Sequence, residues 1–112
     1  MEEVLMKNDY IEQVCVAGLG IPQPIALVNL SEVGLAADKT AMETSFKETM
    51  QKVNRDRAKF EQISTIIVQN EIWSEDNGLL TPTLKVKRGQ IDDRYLENYL
   101  AWHEAAEKVI WA

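Results

Sequence analysis

The side chains best suited to chemistry are three cations that lie close together in the segment 79–91, which reads LLTPTLKVKRGQI. Lys85, Lys87 and Arg88 stand out because the chain has 18 acidic against 12 basic residues and a formal net charge of −6. Pro82 fixes its own φ angle and favours an extended backbone at the residue before it, so it predicts a stiff turn ahead of the cations. Cations on such a turn suit phosphate or carboxylate oxygens.

Two interpretations of these cations stay open from the residues alone. One is a site for a small anionic ligand, to which Thr83 adds a hydroxyl that can donate and accept. The other is a non-catalytic α+β interaction domain, in which the basic loop is a docking surface or a solvated edge with lysines that oppose aggregation. We expect Lys85 and Lys87 to point to opposite sides of an extended segment, and therefore not to serve the same ligand.

Cysteine and histidine, the other residue types with wide chemistry, occur once each. Cys15 alternates with apolar neighbours in a predicted strand, which indicates an inert core thiol. His103 has no cysteine, second histidine or spaced carboxylate pair beside it, so the sequence predicts no metal site and a packing or helix-surface role for this residue. A lone cysteine cannot form an internal disulfide and favours a reducing, cytoplasmic setting.

Length, composition and charge limit which classes of protein this chain can belong to. The 112 residues, of which 46% are hydrophobic and 27% charged, predict one globular domain that spans residues 1–112. The net charge of −6 argues against general nucleic-acid binding, which normally needs a cationic face. No apolar run approaches the roughly 20 residues that a membrane-spanning helix needs, and the acidic start of the chain is unlike a secretory signal.

The apolar pattern predicts six elements that would position these residues: helices at 2–7, 40–58 and 90–108, and strands at 11–18, 24–30 and 61–70. The short Gly- and Pro-rich loop between the first two strands makes them an antiparallel pair. Thr40 and Glu43 have the spacing of a capping box. The second helix has an apolar stripe that needs a sheet to cover, formed by Met42, Phe46, Met50 and Val53. We therefore expect an α+β fold, with a small three-stranded sheet flanked by helices.

Three stretches resemble the AMP-forming adenylate enzymes, and in particular their long-chain acyl-CoA synthetase branch. DNGLLTPTLKVKRGQI resembles the C-terminal signature of that branch. IEQVCVAG, followed by GIPQPIALVNLSE, resembles the two strands that open the family's small C-terminal domain. KFEQISTIIVQNEIWSEDNGLLTPTLKVKR resembles the long-chain branch from the third strand onward. The resemblance covers essentially the whole chain, in the order of the family.

The resemblance implies a role for each residue of the end motif. In the family this motif is usually Ser-Gly-Lys, two variable residues and then Arg. Lys85 and Arg88 have that spacing, and Thr83-Leu84 stands in place of Ser-Gly, a usual departure of the long-chain branch. Lys85 is then the catalytic lysine, preferred over Lys87 for its spacing to Arg88. Thr83 and Arg88 are implied to bind substrate.

What the resemblance implies for the reaction is a sequence of two steps. A fatty acid carboxylate attacks the α-phosphate of ATP, which gives an acyl-adenylate and pyrophosphate, and the thiol of CoA then displaces AMP. ATP and CoA are substrates, and Mg²⁺ accompanies ATP in the full-length enzyme. The family's small domain rotates between the steps, and its lysine serves only the first.

The same resemblance implies that the chain is an excised C-terminal lid domain, whose main partner is its own large N-terminal AMP-binding domain. That absent domain would hold the phosphate loop, adenine pocket and acyl tunnel, so we expect this chain alone to bind no cofactor and to be inactive. Further expectations are peripheral membrane association of the parent enzyme and self-association of the fragment through its uncovered patch. A rival is a free-standing domain of the same fold that docks on a separate adenylating partner.

Overall fold

The computed structural model describes residues 2–18 and 20–112. Five helices and four strands follow one another along the chain: α1 (Glu2–Met6), β1 (Ile11–Ala17), β2 (Ile25–Leu30), α2 (Glu32–Ala36), α3 (Lys39–Asn54), the 3-10 turn α4 (Lys59–Glu61), β3 (Ile66–Val68), α5 (Arg88–Glu104) and β4 (Val109–Trp111). No helix in these ranges is both long and apolar enough to cross a bilayer. The predicted α+β class, with a small sheet flanked by helices, is confirmed.

The sheet is mixed, with the spatial order β1-β2-β3-β4. β1 and β2 are antiparallel, as predicted, and Cys15 lies opposite Leu27. β2, β3 and β4 are parallel, so that Ile66 is paired with Ala26 on one side and with Val109 on the other. Because β1 is an edge strand, the groups along its outer edge need partners other than a further strand.

Each face of the sheet has its own apolar core, since successive side chains of a strand point to opposite faces. On one face, Ala26, Val28 and Ile66 pack against α1 and the predicted stripe of α3. Phe46 of that stripe is completely buried, as the sequence predicts. On the other face, the inward residues of β2 and β3 pack against α5 and the segment before it, in a cluster that includes Ile25, Leu27, Ile67, Trp73, Leu80, Ile91 and Tyr99.

The predicted three-stranded sheet is wrong by one strand. The sequence analysis extended the last helix to residue 108, but α5 ends at Glu104 and Ala106 has a positive φ of 56°. The chain then turns back, and Val109–Trp111 pairs with β3. Three residues carry too little periodicity to be recognised as a strand. The predicted third strand, 61–70, is shortened in the same way to Ile66–Val68.

The boundaries of the second predicted helix also differ. It runs from Lys39 to Asn54, and Asp38 caps it by accepting a hydrogen bond from the Ala41 amide at 3.3 Å. The predicted capping box at Thr40 and Glu43 is therefore wrong, because Asp38, two residues earlier, serves as the N-cap. The sequence analysis also missed α2, a five-residue helix whose N-cap is Ser31.

Candidate functional site

The three cations lie on and just after a tight two-stranded loop, here called the lysine loop (residues 79–87). The Thr81 amide donates to the Lys85 carbonyl at 2.8 Å, and the Leu84 amide donates to the Thr81 carbonyl at 2.8 Å. The Lys87 amide donates to the Leu79 carbonyl at 2.9 Å. Leu80 and Val86 form an isolated antiparallel bridge within it. The backbone of the loop is thus paired with itself on both sides of the turn.

Hydroxyl groups stiffen the tip of the lysine loop further. Thr81 Oγ1 accepts a hydrogen bond from the Lys85 amide at 3.0 Å and lies 3.1 Å from Thr83 Oγ1. Pro82 between the two threonines fixes its own φ angle. The predicted stiff turn is confirmed, and its rigid part extends to the backbone of Lys85.

Leu84 is the strained residue of the lysine loop. Its φ is 63°, in the left-handed region that non-glycine residues rarely adopt. The side chain is 60% exposed, so apolar burial offsets little of the conformational cost. Leu84 stands where the resembled end motif usually has glycine. The backbone of that turn is therefore the one that glycine would adopt without strain.

The expectation that Lys85 and Lys87 point to opposite sides of the loop is wrong. Side chains two residues apart in an extended segment share a side, and the residue between them faces the other way. Val86, between the two, is half-buried against the core on the α5 face, whereas both lysines are exposed. What distinguishes the lysines is the backbone: Lys85 lies near the tip of the paired loop, whereas Lys87 is the N-cap residue that immediately precedes α5.

Arg88 begins α5 and is held at the free edge of β1. Its Nη1 donates to the Val16 carbonyl at 3.3 Å, and its Nη2 donates to Glu2 Oε1. The other carboxylate oxygen, Glu2 Oε2, accepts from the Val16 amide at 2.8 Å. The hydrogen bond to Glu2 raises the pKa of Arg88. Glu2 and Arg88 together occupy both backbone groups of Val16.

A second contact ties the lysine loop to the same strand. Gln13 Nε2 donates to the Leu84 carbonyl at 3.2 Å. The loop is therefore connected to β1 immediately before Lys85, through Gln13, and three residues after it, through Arg88. Sequence reasoning missed Glu2 and Gln13, because their partners lie more than 70 residues away and neither residue shows a local signal.

A cavity of about 580 Å³ adjoins the lysine loop at Leu84, beside the last residues of β2, β3 and β4. Its wall includes Trp73, Trp111 and Gln69. The buried Nε2 of Gln69 has no hydrogen-bond partner in the described part of the chain, residues 2–18 and 20–112. The rim of the cavity includes two exposed apolar residues, Leu35 (66% exposed) and Ile72 (70%), beside the charged Glu12 and Lys39. These exposed apolar side chains suit a protein surface more than an ATP phosphate.

Cys15 and His103 both have packing contacts within the fold. Cys15 is buried, as predicted, and its burial raises the pKa of the thiol to about 11. At neutral pH the thiol is therefore protonated and unreactive. His103 is half-buried in α5, and its Nδ1 lies 3.2 Å from Ser64 Oγ, a packing contact across to the segment before β3.

The residues 2–18 and 20–112 include no group of three His, Cys, Asp or Glu side chains that could hold a metal ion. The Mg²⁺ that the resemblance implies would accompany ATP in the full-length enzyme, and we assign no residue of this chain to it. The site consists of the Lys85 ammonium group, on a hydrogen-bonded backbone, and of Arg88 three residues later. Lys85 is exposed, so an anion must be enclosed from another side to gain from that charge.

Comparison with known proteins gives concordant matches. The family model of the AMP-binding enzyme C-terminal domain matches residues 1–105. Long-chain-fatty-acid–CoA ligase 1 of Homo sapiens is 31% identical over 121 residues, which cover 85% of this chain and 17% of that protein. A chloroplastic long-chain-fatty-acid–[acyl-carrier-protein] ligase of Arabidopsis thaliana is 27% identical, covering 87% of this chain and 14% of its own length. The chain thus spans a small part of these relatives.

Solved structures share the fold over almost the whole chain. The A-PCP didomain of carboxylic acid reductase from Segniliparus rugosus, in complex with AMP, superposes with a TM-score of 0.73 and 22% identity, covering 93% of this chain and 15% of that one. The A domain of the same reductase, in complex with AMP and a co-purified carboxylic acid, gives a TM-score of 0.70 and 19% identity, covering 95% and 18%. At these identities the likeness concerns the fold.

Proposed function

Since the chain belongs to the family of AMP-binding enzyme C-terminal domains, we propose that it is the lid domain of an ATP-dependent long-chain fatty acid–CoA ligase. In this proposal Lys85 serves acyl-adenylate formation, and the domain rotates before CoA reacts. The large N-terminal domain of the same enzyme is the partner against which the lysine loop closes. The long-chain fatty acid is proposed because curated relatives over most of this chain are named as ligases of that acid.

The observation that carries the proposal is the combination of a fixed backbone and an exposed ammonium group at Lys85. The amide of Lys85 is bonded to Thr81 Oγ1 and its carbonyl to the Thr81 amide. The side chain remains exposed and is not engaged in an ion pair among the residues that the structure describes. A lysine whose backbone is fixed and whose ammonium group is exposed is suited to bind an anion that another domain supplies.

The chemistry needs such a cation. A carboxylate and a triphosphate repel each other as they approach, and negative charge moves to pyrophosphate as the bond to the α-phosphate breaks. An ammonium group enclosed against both anions opposes the repulsion and stabilises the charge that develops, an effect worth about 3–4 kcal/mol for one donor. We propose that the exposed Thr83 hydroxyl contacts the same anionic groups beside Lys85.

A more specific part of the proposal is the identity of the thiol that accepts the acyl group. We propose CoA, as in the names of the ligases from Homo sapiens and Rattus norvegicus. The relative from Arabidopsis thaliana is named for an acyl-carrier protein instead. Supplying the enzyme with acyl-adenylate and either CoA or a carrier protein distinguishes the two, because the thiol enters only in the second step.

Measuring the two half-reactions separately in the full-length enzyme tests the role of Lys85. We expect Lys85→Ala to slow acyl-adenylate formation by roughly 10²–10³-fold, the scale seen when a donor to developing charge is removed. Thioester formation from supplied acyl-adenylate stays near the wild-type rate, since the lysine serves only the first step. Lys85→Arg does not restore the first step, because a planar guanidinium is not a point charge.

Lys87→Ala is the matched control, because Lys87 is an exposed lysine two residues away. We expect it to change adenylation by less than about threefold, since its spacing to Arg88 differs from the family motif. A severe Lys87 variant with a mild Lys85 variant would move the role to Lys87. If both variants form acyl-adenylate normally, the lysine loop is a solvated or docking surface and the proposal fails.

The chain by itself provides a second, independent test. When the 112-residue protein is mixed with ATP, Mg²⁺, palmitate and CoA, we expect it to release no pyrophosphate above background. The physical reason is that Lys85 stands exposed, without walls to enclose an adenine, a ribose or an acyl chain around it. Sustained release of pyrophosphate would overturn the reading of this chain as one part of a larger active site.

A further inference from the structure

The free edge of β1 is the place where three parts of the molecule meet. Val16 offers one amide and one carbonyl at this edge, Glu2 of α1 binds the amide, and Arg88 at the start of α5 binds the carbonyl. Glu2 and Arg88 are also paired with each other, so the three residues close a ring of hydrogen bonds. Three residues before Arg88 stands Lys85, and no flexible linker separates them.

A stabilising role alone explains this arrangement poorly. The side chains of Arg88 and Glu2 are 59% and 28% exposed, and solvent screens an ion pair of that kind. The pair does fix the orientation of the Arg88 guanidinium, because both Glu2 oxygens and both terminal nitrogens of Arg88 form hydrogen bonds. A guanidinium held in this way defines where α5 starts, and hence where the preceding residues lie.

The rest of the lysine loop is fixed to the same strand. Gln13 holds the Leu84 carbonyl, so the strand contacts the loop on both sides of Lys85. β1 is itself paired with β2 from Gln13 to Ala17 in regular register, after one irregularity between Ile11 and Gln13. Leu79 and Leu80 anchor the start of the loop in the core, whereas the exposed tip around Lys85 is held through the edge of β1.

We propose that Glu2 and Arg88, with Gln13, are positioning residues that set the location of Lys85 by holding the lysine loop against the edge of β1. This inference rests on the proposed function of Lys85 in adenylation. It differs from the substrate-binding role that the family resemblance implies for Arg88, because here Arg88 acts through Glu2 and Val16. In near-attack geometry a displacement of about 1 Å can cost about 100-fold in rate.

The full-length enzyme tests the inference through kcat and KM for adenylation in Glu2→Gln, Arg88→Gln and the double variant. We expect kcat to fall about 10-fold to 100-fold in each single variant, with KM for ATP within about twofold of the wild-type value. The double variant is no worse than either single variant, because both remove the same ring of bonds. If Arg88 bound substrate instead, only its variants would be impaired, and KM would rise.

The chain contains a matched control pair on the same helix. Arg94 of α5 is paired with Glu71, their side chains are 47% and 31% exposed, and among the described residues no side-chain hydrogen bond or ion pair joins either of them to the lysine loop. We expect Arg94→Gln to leave adenylation within about twofold of the wild-type rate. An equal loss in this control would show that any ion pair on α5 has the same effect, which would overturn a positioning role for Arg88.

Amide hydrogen exchange in the 112-residue chain separates this inference from the proposed function. We expect Glu2→Gln to speed exchange at the Leu84 and Lys85 amides about tenfold, while the Trp73 amide, bonded to Asn29 Oδ1 at 2.7 Å, is unchanged. Unchanged exchange at both loop amides would overturn the inference. If exchange responds but Lys85→Ala adenylates normally, the proposed function fails and the positioning contact stands.

Discussion

The two faces of the sheet are built on different principles. The core cluster on the α3 face is apolar and its contacts are non-directional, and the hydrogen bonds on that face join polar residues outside the cluster, such as Asn8 with Ser45 and Thr49. The α5 face adds hydrogen bonds among large aromatic side chains: Trp73 Nε1 donates to Tyr95 Oη at 3.2 Å, and Tyr99 Oη donates to Asp92 Oδ1 at 2.8 Å. Apolar packing tolerates small displacements, whereas hydrogen bonds fix distances and angles. The hydrogen bonds of these core aromatic side chains lie on the face that also carries the lysine loop.

The largest effect is expected on the apolar face. Phe46 is completely buried in the α3 core, so Phe46→Ala removes a large side chain and leaves a cavity. We expect it to lower the free energy of unfolding by about 3–5 kcal/mol. Urea denaturation followed by circular dichroism measures this, with exposed Phe60→Ala as the control that changes little. Similar losses in both variants would contradict the packing of α3 on the sheet.

A smaller effect is expected from one directional contact on the other face. Tyr99→Phe keeps the buried ring and removes the donor to the Asp92 carboxylate. We expect a loss of about 1.5–3 kcal/mol in the free energy of unfolding, the range for hydrogen bonds to charged groups. Tyr95→Phe is a comparison on the same helix. A neutral Tyr99→Phe would mean that the core on the α5 face, like the apolar cluster on the α3 face, gains its stability from packing.

The same contact predicts how stability depends on pH. Burial, together with the hydrogen bond to Asp92, raises the pKa of Tyr99, and burial raises that of Tyr95 to about 12. An unfolded tyrosine ionises near pH 10, so the unfolded state loses protons first as the solution becomes alkaline. The stabilising contribution is complete below about pH 10 and is lost as the pH rises through the raised values.

Urea titrations at pH 8 to 11.5 measure this loss. We expect wild-type stability to decline above about pH 10, and Tyr99→Phe to show a shallower decline because one of the two tyrosines no longer ionises. Equal slopes for the two proteins would mean that Tyr99 ionises in the folded state as easily as in the unfolded one.

The smallest effect is expected where the lysine loop turns. Leu84 has a φ of 63°, so Leu84→Gly relieves left-handed strain while it increases the entropy of the unfolded chain. We expect a net stabilisation of up to about 1 kcal/mol, measured by thermal denaturation. Leu84→Ala keeps the strained backbone and gains nothing, which makes it the control. A less stable glycine variant would show that the side chain of Leu84 contributes more by packing than its backbone costs.

Sequence reasoning succeeded where a signal is local and periodic. The α3 stripe around Phe46, the antiparallel pair β1–β2 and the buried thiol of Cys15 were all predicted from spacing and residue type. It failed where the partner is distant or the element short. β4 has three residues, and the pairing of Glu2 with Arg88 joins residues 86 positions apart, which leaves no periodic pattern in the sequence.

Part of the candidate site could be predicted because its signals are also local in the sequence. The end motif placed Lys85 and Arg88 in one segment, and Pro82 predicted the turn. The sequence could not show that Leu84 takes a left-handed conformation, because a leucine usually signals the opposite. The error about Lys85 and Lys87 had a different origin: alternation along an extended segment was applied with the wrong period.

The ring of bonds around Val16 also affects how this protein behaves in concentrated solution. An edge strand with unpaired amides and carbonyls attracts strands from other molecules, which is a common route to aggregation. Here one of the outward amides and one of the outward carbonyls of β1 are already engaged by charged side chains. The charges also bring a hydration shell that an approaching strand would have to displace. The contacts that hold the lysine loop thus help to keep neighbouring molecules from extending the sheet.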